Sequence, residues 1–205
     1  MNHKIILASN SPRRKELLAG LDIPFEVKTI VGLDENFPSD LQAGDIPLFL
    51  SEKKSEAYES LWKEENTMVI TSDTIVWVIA EDGKGQMLGK PKSYEEAFEM
   101  LQLLSGKTHQ VFTGVCVRTN EKKESFVTRT NVKFSDLSDA EINYYIEKYK
   151  PYDKAGSYGV QEWIGYIAVE EITGSFYNVM GLPVHQLYKV LKSTFSSYID
   201  PNRNC

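Results

Sequence analysis

Strand-like and helix-like segments alternate along almost the whole chain. Apolar and β-branched runs predict strands over residues 4–8, 25–31, 68–78, 108–118, 126–134, 164–172 and 177–180. Start signals and helical periodicity predict helices over residues 12–21 and 46–64, between 93 and 106, over 138–149 and from 183 onward. Helices that intervene between strands, together with hairpin-like strand pairs, predict an α/β protein with a mixed central β-sheet flanked by helices.

Length and charge narrow the classes of protein further. A chain of 205 residues suits one domain or two closely joined lobes, and we expect a single domain over residues 1–205. The formal charge of −6 argues against binding to nucleic-acid polymers or anionic membranes, because both require positive surface. It leaves room for a small basic pocket inside an acidic protein.

The cysteines and the apolar runs predict a cytoplasmic protein. Cys116 and Cys205 are the only cysteines, and neither belongs to a CxxC pair or a metal-ligand spacing. The apolar residues 5–8 are too few for a secretion signal. No run approaches the ~20 apolar residues that cross a bilayer.

The segment LASNSPRR, residues 7–14, carries the most specific local signal. Ser11 suits a helix N-cap and Pro12 the first helical position. Arg13 and Arg14 then fall in the first turn, where the helix dipole disfavours cations. A solvated basic surface is the common interpretation. We favour an anion site that also includes Ser9, because free backbone N–H groups and two guanidinium groups suit a phosphate.

Several other residues are individually weaker candidates. Lys53 falls within an apolar helical stripe, where its stem covers apolar surface or its ammonium reaches a ligand. Asp73 interrupts an apolar run, which indicates either a turn between two strands or a functional carboxylate. Glu35 lies in a polar loop where solvated charge is common. Lys90 precedes a capped helix as a candidate anion contact.

The stretch DKAGSYGVQ, residues 153–161, combines two glycines with Lys154 and Gln161. Glycines allow a backbone to approach a ligand closely, although a plain surface turn is the commoner meaning of such a stretch.

Five stretches in combination are more specific than any single motif: LASNSPRRKELL, SDTIV, GKPKSYEEAFEMLQLLSGKTHQVFTGV, DKAGSYGVQ and GSFYNVMGLPV. In this order, and over nearly the whole chain, they closely resemble the Maf family of nucleoside triphosphate pyrophosphatases. Arg13, Thr74 and Gln161 resemble the subgroup that hydrolyses dTTP and UTP.

The resemblance implies a fold, an activity and an assembly. The implied fold has two lobes with an active-site cleft between them, similar to that of inosine triphosphatases. The implied activity is hydrolysis of a nucleoside triphosphate to the monophosphate and diphosphate with Mg²⁺ or Mn²⁺, and homodimers are typical. Asp73 matches the family's proposed proton acceptor. Matches to further active-site positions are Glu35, Lys53 and Lys90, and matches to positions tied to substrate choice are Arg13, Thr74 and Gln161.

Together these observations predict one nucleotide site. Asp73 and Glu35 would hold the metal, because carboxylate oxygens suit Mg²⁺ and Mn²⁺. Gln161 can pair with the O4/N3 edge of thymine or uracil. The expected catalytic residues are Asp73, Glu35, Lys53 and Lys90, and the expected substrate-binding residues are Ser9, Arg13, Arg14, Thr74, Lys154 and Gln161.

Two alternatives stay open at this point. One is a nucleotide-binding regulator of cell division and septum formation without significant turnover, which the resemblance also suggests. The other is a pyrophosphatase for non-canonical purine nucleoside triphosphates.

Overall fold

A computed structural model describes residues 3–80 and 83–199 of the chain, so Cys205 lies outside the described residues. The strands are β1 (Lys4–Leu7), β2 (Glu26–Val27), β3 (Thr67–Ile79), β4 (Gly85–Leu88), β5 (Thr108–Arg118), β6 (Lys123–Phe134) and β7 (Val169–Thr173). The α-helices are α1 (Pro12–Ala19), α2 (Asp45–Glu56), α3 (Glu59–Trp62), α4 (Tyr94–Leu104), α5 (Asp139–Tyr149), α6 (Trp163–Ala168), α7 (Phe176–Met180) and α8 (Val184–Thr194). The protein is therefore α/β, as predicted.

The strands form one mixed, seven-stranded sheet in the order β2-β1-β3-β5-β6-β7, with β4 paired to β3 off this path. β1 is parallel to both β2 and β3. β4 is antiparallel to β3, and β7 is antiparallel to β6 with a register irregularity near Phe134. The mixed sheet confirms the predicted class. The crossover α1 allows the parallel pair β1–β2, a hairpin connection gives the antiparallel pair β3–β4, and the antiparallel pair β6–β7 is joined through α5 and α6.

The chain divides into two compact units. Within the described residues, the first unit comprises 3–73, 113–128 and 181–199, and the second comprises 74–80, 83–112 and 129–180. Tyr58 and Trp62 pack with Ile6, Ala8 and Val69 in a core of the first unit. A larger cluster fills the second unit and includes buried residues of β3, α4, β5, β6, α5 and α6.

Capping residues start the helices where the sequence predicts. The Ser138 hydroxyl accepts from Glu141 N, and the Glu141 carboxylate accepts from Ser138 N at 2.8 Å, which is a complete capping box at α5. At α4 the Ser93 hydroxyl accepts from Glu96 N at 3.2 Å, whereas the Glu96 carboxylate turns to Lys92 N.

The sequence around Asp73 allowed either a turn between two strands or a functional carboxylate, and the structure excludes the turn. β3 runs without interruption from Thr67 to Ile79, so the interpretation of residues 71–74 as a turn is wrong. Polar side chains are accommodated because Thr71, though fully buried, donates its hydroxyl to the backbone oxygen of Ser51 at 2.7 Å.

Other boundaries also need correction. The strand expected over 25–31 is only Glu26–Val27, and the helix expected over 46–64 ends at Glu56 before a separate short helix. The strand expected over 164–172 is α6 followed by β7, and residues 177–180 lie in α7. Short apolar runs fit helices and strands equally well, and tertiary packing decides between them. The edge hairpin strand β4 was not predicted.

Within residues 3–80 and 83–199, every helix is too short or too polar to cross a lipid bilayer.

Candidate functional site

The first turn of α1 places a guanidinium group against two backbone carbonyls of the first unit. Ser11 caps α1 by accepting from Arg14 N at 3.4 Å. The Arg14 side chain donates from Nε to Gly181 O at 2.8 Å and from Nη1 to Ser72 O at 2.9 Å. The Ser9 hydroxyl accepts from Ser11 N at 3.2 Å and lies 3.5 Å from Arg14 Nη1. The positive charge of Arg14 is unfavourable in the first turn of a helix, and the two carbonyl oxygens offset part of this cost.

The charged groups around Arg14 shift its pKa in opposite directions. Burial lowers the pKa of the Arg14 guanidinium, the carboxylates of Asp73 and Glu35 oppose this shift, and the charge of Arg13 adds to it. An arginine guanidinium is not deprotonated in proteins, so Arg14 keeps its positive charge. Two guanidinium groups and two carboxylates therefore influence one another at this part of the first unit.

Asp73 and Glu35 meet at one ammonium group, that of Lys54. Lys54 Nζ lies 2.6 Å from Asp73 Oδ1 and 2.8 Å from Glu35 Oε1. The side chains of Lys54 and Asp73 are only 13% and 14% exposed, whereas that of Glu35 is 57% exposed. The Asp73 end of this cluster is thus shielded from water, and its Coulomb interactions are stronger than those of surface pairs.

The way β3 runs alongside α2 explains why Asp73 contacts Lys54. Side chains two residues apart share one face of a strand, so Thr71 and Asp73 point the same way. Thr71 bonds to Ser51 O on α2, and Asp73 bonds to Lys54 almost one helical turn further along. Because β3 continues through Asp73 without a turn, the Asp73 carboxylate faces α2 and reaches Lys54.

Lys53 contacts the two residues that flank Glu35. Its ammonium contacts Asp34 Oδ2 and Asn36 O, both at 2.7 Å, and its side chain is 32% exposed. This hydrogen bond lowers the pKa of the exposed Asp34 carboxyl. Thus the carboxylate Asp73 contacts Lys54, not the neighbouring lysine that the sequence singled out.

The apolar stripe predicted for α2 is displaced from the observed one. Phe49 is exposed at the surface, and the buried face of α2 consists of Ile46, Pro47, Leu50, Ser51 and Ser55. Two serines on that face hid its position, because serine does not count as apolar in a periodicity search. Lys54 follows Leu50 by four residues and so borders the buried face.

Asp73 and Glu35 offer carboxylate oxygens, which are the ligand atoms that a hard divalent ion prefers. None of the described residues belongs to a cluster of three or more His, Cys, Asp or Glu side chains able to hold a metal. Mg²⁺, however, commonly binds one or two carboxylates together with waters and substrate phosphates. Both carboxylates already converge on a single positive charge at Lys54 Nζ, which fits their use around a cation.

In the second unit, Lys154 is part of a largely buried network. Its ammonium lies 2.8 Å from Asp153 Oδ1 and 3.1 Å from Glu162 Oε1, and its side chain is 8% exposed. Glu162 also accepts a hydrogen bond from the hydroxyl of the buried Tyr145. Burial raises the pKa of Tyr145, and the bond to Glu162 raises it further, so the phenol stays protonated and can donate.

The other sequence-predicted residues of the second unit occupy varied surroundings. Oε1 of Gln161 is buried and accepts no hydrogen bond from any group within residues 3–80 and 83–199. Lys90 is exposed, and the preceding Gly89 accepts at its carbonyl from Gly156 N at 3.0 Å. Thr74 is half-buried on β3, on the opposite strand face from Asp73.

The family comes from a comparison of the whole sequence with known families. The model described as "Maf-like protein" matches residues 4–194 of the chain. The chain belongs to the Maf family. This membership confirms the family that the five sequence stretches indicated.

Curated relatives of this Maf-family chain carry the name dTTP/UTP pyrophosphatase. One from Bacteroides thetaiotaomicron is 55% identical over 190 residues, which cover 93% of this chain and 95% of the relative. One from Flavobacterium johnsoniae is 48% identical over 189 residues, covering 92% and 94%. A crystal structure of a nucleoside-triphosphatase / dITP/XTP pyrophosphatase from Mycobacterium abscessus covers 97% of this chain and 99% of its own, at 12% identity and a TM-score of 0.41.

Sequence reasoning missed three side chains of this Maf chain that contact the predicted residues: Lys54, Tyr145 and Glu162. The sequence signal for Lys54 is weak, because the buried helix face that it borders includes Ser51 and Ser55, which are not apolar. Tyr145 is 14 residues from its partner Gly159. A hydrogen bond over that separation leaves no periodic trace in the sequence.

Proposed function

We propose that this Maf-family chain is a nucleoside triphosphate pyrophosphatase that hydrolyses dTTP and UTP to the monophosphate and diphosphate. The observation that supports this most strongly is the contact of Asp73 and Glu35 with Lys54, near the charge of Arg14 in the first unit. Cations there can neutralise phosphate charge while a carboxylate handles a proton. The names of the curated relatives support the choice of nucleotide.

The residues of the first unit divide the work between phosphate binding and proton transfer. Arg13 contributes positive charge at the N-terminus of α1, where backbone N–H groups also favour an anion. Arg14 fixes the loop through Gly181 and Ser72, and its charge acts on the same anion. Asp73 accepts the proton of the attacking water, the water oxygen bonds to phosphorus, and the α–β phosphoanhydride bond breaks with release of diphosphate.

Lys54 takes the role that the sequence gave to Lys53. Its ammonium donates a hydrogen bond of 2.6 Å to the Asp73 carboxylate and holds it in one orientation. Lys90 and Ser9 are the remaining proposed phosphate contacts; Lys90 is exposed and Ser9 is half-buried.

A divalent ion, Mg²⁺ or Mn²⁺, would be held by the carboxylates of Asp73 and Glu35 with phosphate oxygens. Such an ion neutralises charge that develops on the phosphate groups and activates water. The Glu35 side chain, 57% exposed, would reach such an ion from the solvent side of Lys54.

The second unit supplies base selection in this proposal. The buried Oε1 of Gln161 is an acceptor suited to the N3–H of thymine or uracil, and the Gln161 amide nitrogen is a donor suited to O4. A polar site of this kind rejects a mismatched edge strongly, because its own groups would stay unpaired. Thr74 is the other proposed selectivity residue.

Location and assembly complete the proposal. We propose a cytoplasmic homodimer that acts on small nucleotides. The acidic charge of −6 supports only the part of this proposal that excludes nucleic-acid polymers and anionic membranes as partners.

Asp73→Asn tests the proposal most directly. The amide keeps the shape of the side chain but cannot accept the proton, so we expect diphosphate release to fall ~100-fold or more. Asp34→Asn is the matched control, because Asp34 pairs with Lys53 instead of Lys54. Near-normal turnover of Asp73→Asn, measured with Mg²⁺ and with Mn²⁺, would reject the mechanism.

A panel of nucleoside triphosphates tests the substrate. The wild-type chain is expected to release diphosphate from dTTP and UTP faster than from dCTP, purine triphosphates or inosine triphosphate. Preference for a purine nucleotide would support the purine alternative instead. Tight dTTP binding without turnover in either metal would support the regulator.

A further inference from the structure

Gln161 lies in a β-turn that one buried tyrosine holds at both ends. The turn is closed by a hydrogen bond from Glu162 N to Gly159 O at 2.9 Å. The Tyr145 hydroxyl accepts from Gly159 N at 3.0 Å and donates to the Glu162 carboxylate. Gln161 therefore lies between two residues of the turn that both bond to the Tyr145 hydroxyl, Gly159 through its backbone N–H and Glu162 through its carboxylate.

Lys154 completes this arrangement from beneath the turn. Its ammonium lies 3.1 Å from the second oxygen of Glu162, so both oxygens of that carboxylate are engaged. A Cβ at Gly159 would lie 2.8 Å from Glu162 Cδ and 3.0 Å from Lys154 Cε. Only glycine lets the two side chains pass this close to the turn.

The Gln161 side chain is the one group of the turn that needs an outside partner. Its Oε1 is buried, and within the described residues nothing donates a hydrogen bond to it. A buried acceptor without a partner costs free energy, which a ligand donor recovers on binding. Thymine and uracil carry an N3–H donor, whereas cytosine presents a lone pair at the same position.

We propose that Tyr145, Glu162 and Lys154 form a clamp that positions Gln161 for base selection. The clamp residues are positioning residues: Lys154 acts through Glu162, and Tyr145 acts through the backbone of the turn. Their role is to hold the amide where thymine or uracil satisfies it and cytosine does not. This inference rests on the proposed function.

Tyr145→Phe removes both hydrogen bonds of the clamp hydroxyl and keeps the ring. The ratio of kcat/KM for dTTP to kcat/KM for dCTP is expected to fall ~10-fold, chiefly through a higher KM for dTTP, with kcat changed less than ~2-fold. Tyr149→Phe is the matched control, because its ring stacks on that of Tyr145 at 5.1 Å but its hydroxyl is not part of the clamp. The control is expected to keep the wild-type ratio.

A double-mutant cycle with Gln161→Ala separates positioning from general damage. If the clamp acts through Gln161, Tyr145→Phe leaves the dTTP/dCTP ratio unchanged in the Gln161→Ala background. An equal loss of activity with both nucleotides that persists in this background would overturn the proposal. Glu162→Gln is the second variant, expected to lower the ratio also, and it decides the matter if Tyr145→Phe does not fold.

The proposal and the proposed function fail in different ways. A wild-type chain that does not prefer dTTP to dCTP would overturn the substrate assignment and the purpose of the clamp together. A wild-type preference that survives both Tyr145→Phe and Glu162→Gln would overturn the clamp alone.

Discussion

Two adjacent lysines of α2 meet different carboxylates, and this difference makes a controlled pair of substitutions available. Lys54 bridges Asp73 and Glu35 with a side chain that is 13% exposed, whereas Lys53 contacts the exposed Asp34. The first contact is shielded from solvent and the second is an ordinary surface pair, which contributes little.

Lys54→Met should therefore lower kcat/KM for dTTP ~100-fold, because Asp73 and Glu35 lose the cation that orients them. Lys53→Met should change the same constant less than ~3-fold. Rates of diphosphate release from the two purified variants give the comparison. A larger loss in Lys53→Met than in Lys54→Met would show that the catalytic lysine is misidentified.

At the level of single residues, the sequence predicts which charged residues belong to the site better than it predicts which of them contact one another. Asp73, Glu35 and Arg14 were singled out from the sequence, and the structure brings their charges within mutual influence. The choice between two neighbouring lysines depends on which helix face is buried. Serines on that face removed the apolar signal that would have identified it.

His109 is a buried titratable side chain that gives the fold a dependence on pH. Its Nε2 lies 2.8 Å from the Tyr158 hydroxyl, and Phe134 and Tyr158 contact the ring edge-on. Burial lowers the pKa of His109 from an ordinary 6.5 to about 4. The unfolded chain therefore takes up a proton at this position before the folded chain does.

The stability that His109 contributes is present above pH 6.5 and is lost as the pH falls toward 4. The expected loss across this window is about 3 kcal/mol in the free energy of unfolding. His109→Gln should lose correspondingly less stability than the wild type between pH 7 and pH 4 in urea titrations. The exposed His185 supplies the control, and His185→Gln should follow the wild-type curve.

Among the elements, α2 approaches β5 at a position where only glycine fits. A Cβ on Gly114 would overlap the backbone oxygen and carbonyl carbon of Pro47. Backbone atoms cannot rotate away as the end of a side chain can, so an added methyl group forces α2 to move.

Gly114→Ala is accordingly expected to lower the free energy of unfolding by about 3 kcal/mol. Gly20→Ala is the control, since a Cβ there would lie at ordinary distances of 3.4 Å and 3.7 Å from backbone oxygens. Chemical denaturation of both variants measures the difference. Equal stability of the two variants would contradict the close approach of α2 to β5.

Elements with explicit start signals were the most predictable ones. β5 has the bounds that were predicted, and α5 begins at its capping box. α6 and α7 were mistaken for strands, because short helices of six and five residues present too few turns for periodicity to distinguish them. Packing within the second unit decides their conformation.

At the scale of the whole molecule, three of the four boundaries between the two units fall inside strands. These three lie after Asp73 in β3, after Phe112 in β5 and after Thr128 in β6, and the fourth follows Met180 at the end of α7. No flexible linker separates the units at these points, so the chain is expected to unfold in one transition.

Leu18→Ala in the first unit and Leu101→Ala in the second test this expectation. Both leucines are fully buried, and each truncation should cost about 3 kcal/mol. Circular dichroism and tryptophan fluorescence should report one shared midpoint in urea, displaced for each variant. Two separable transitions, each displaced by only one of the substitutions, would show that the units unfold independently.

The uninterrupted strand β3 also limits where residues can be inserted or deleted in proteins of this family. Inserting or deleting one residue between Thr67 and Asp73 would turn the carboxylate to the other side of the sheet, away from α2. Loops tolerate such events far more readily. Natural length variants should therefore concentrate in segments such as 28–44, while the spacing from β3's first residue to its aspartate stays constant.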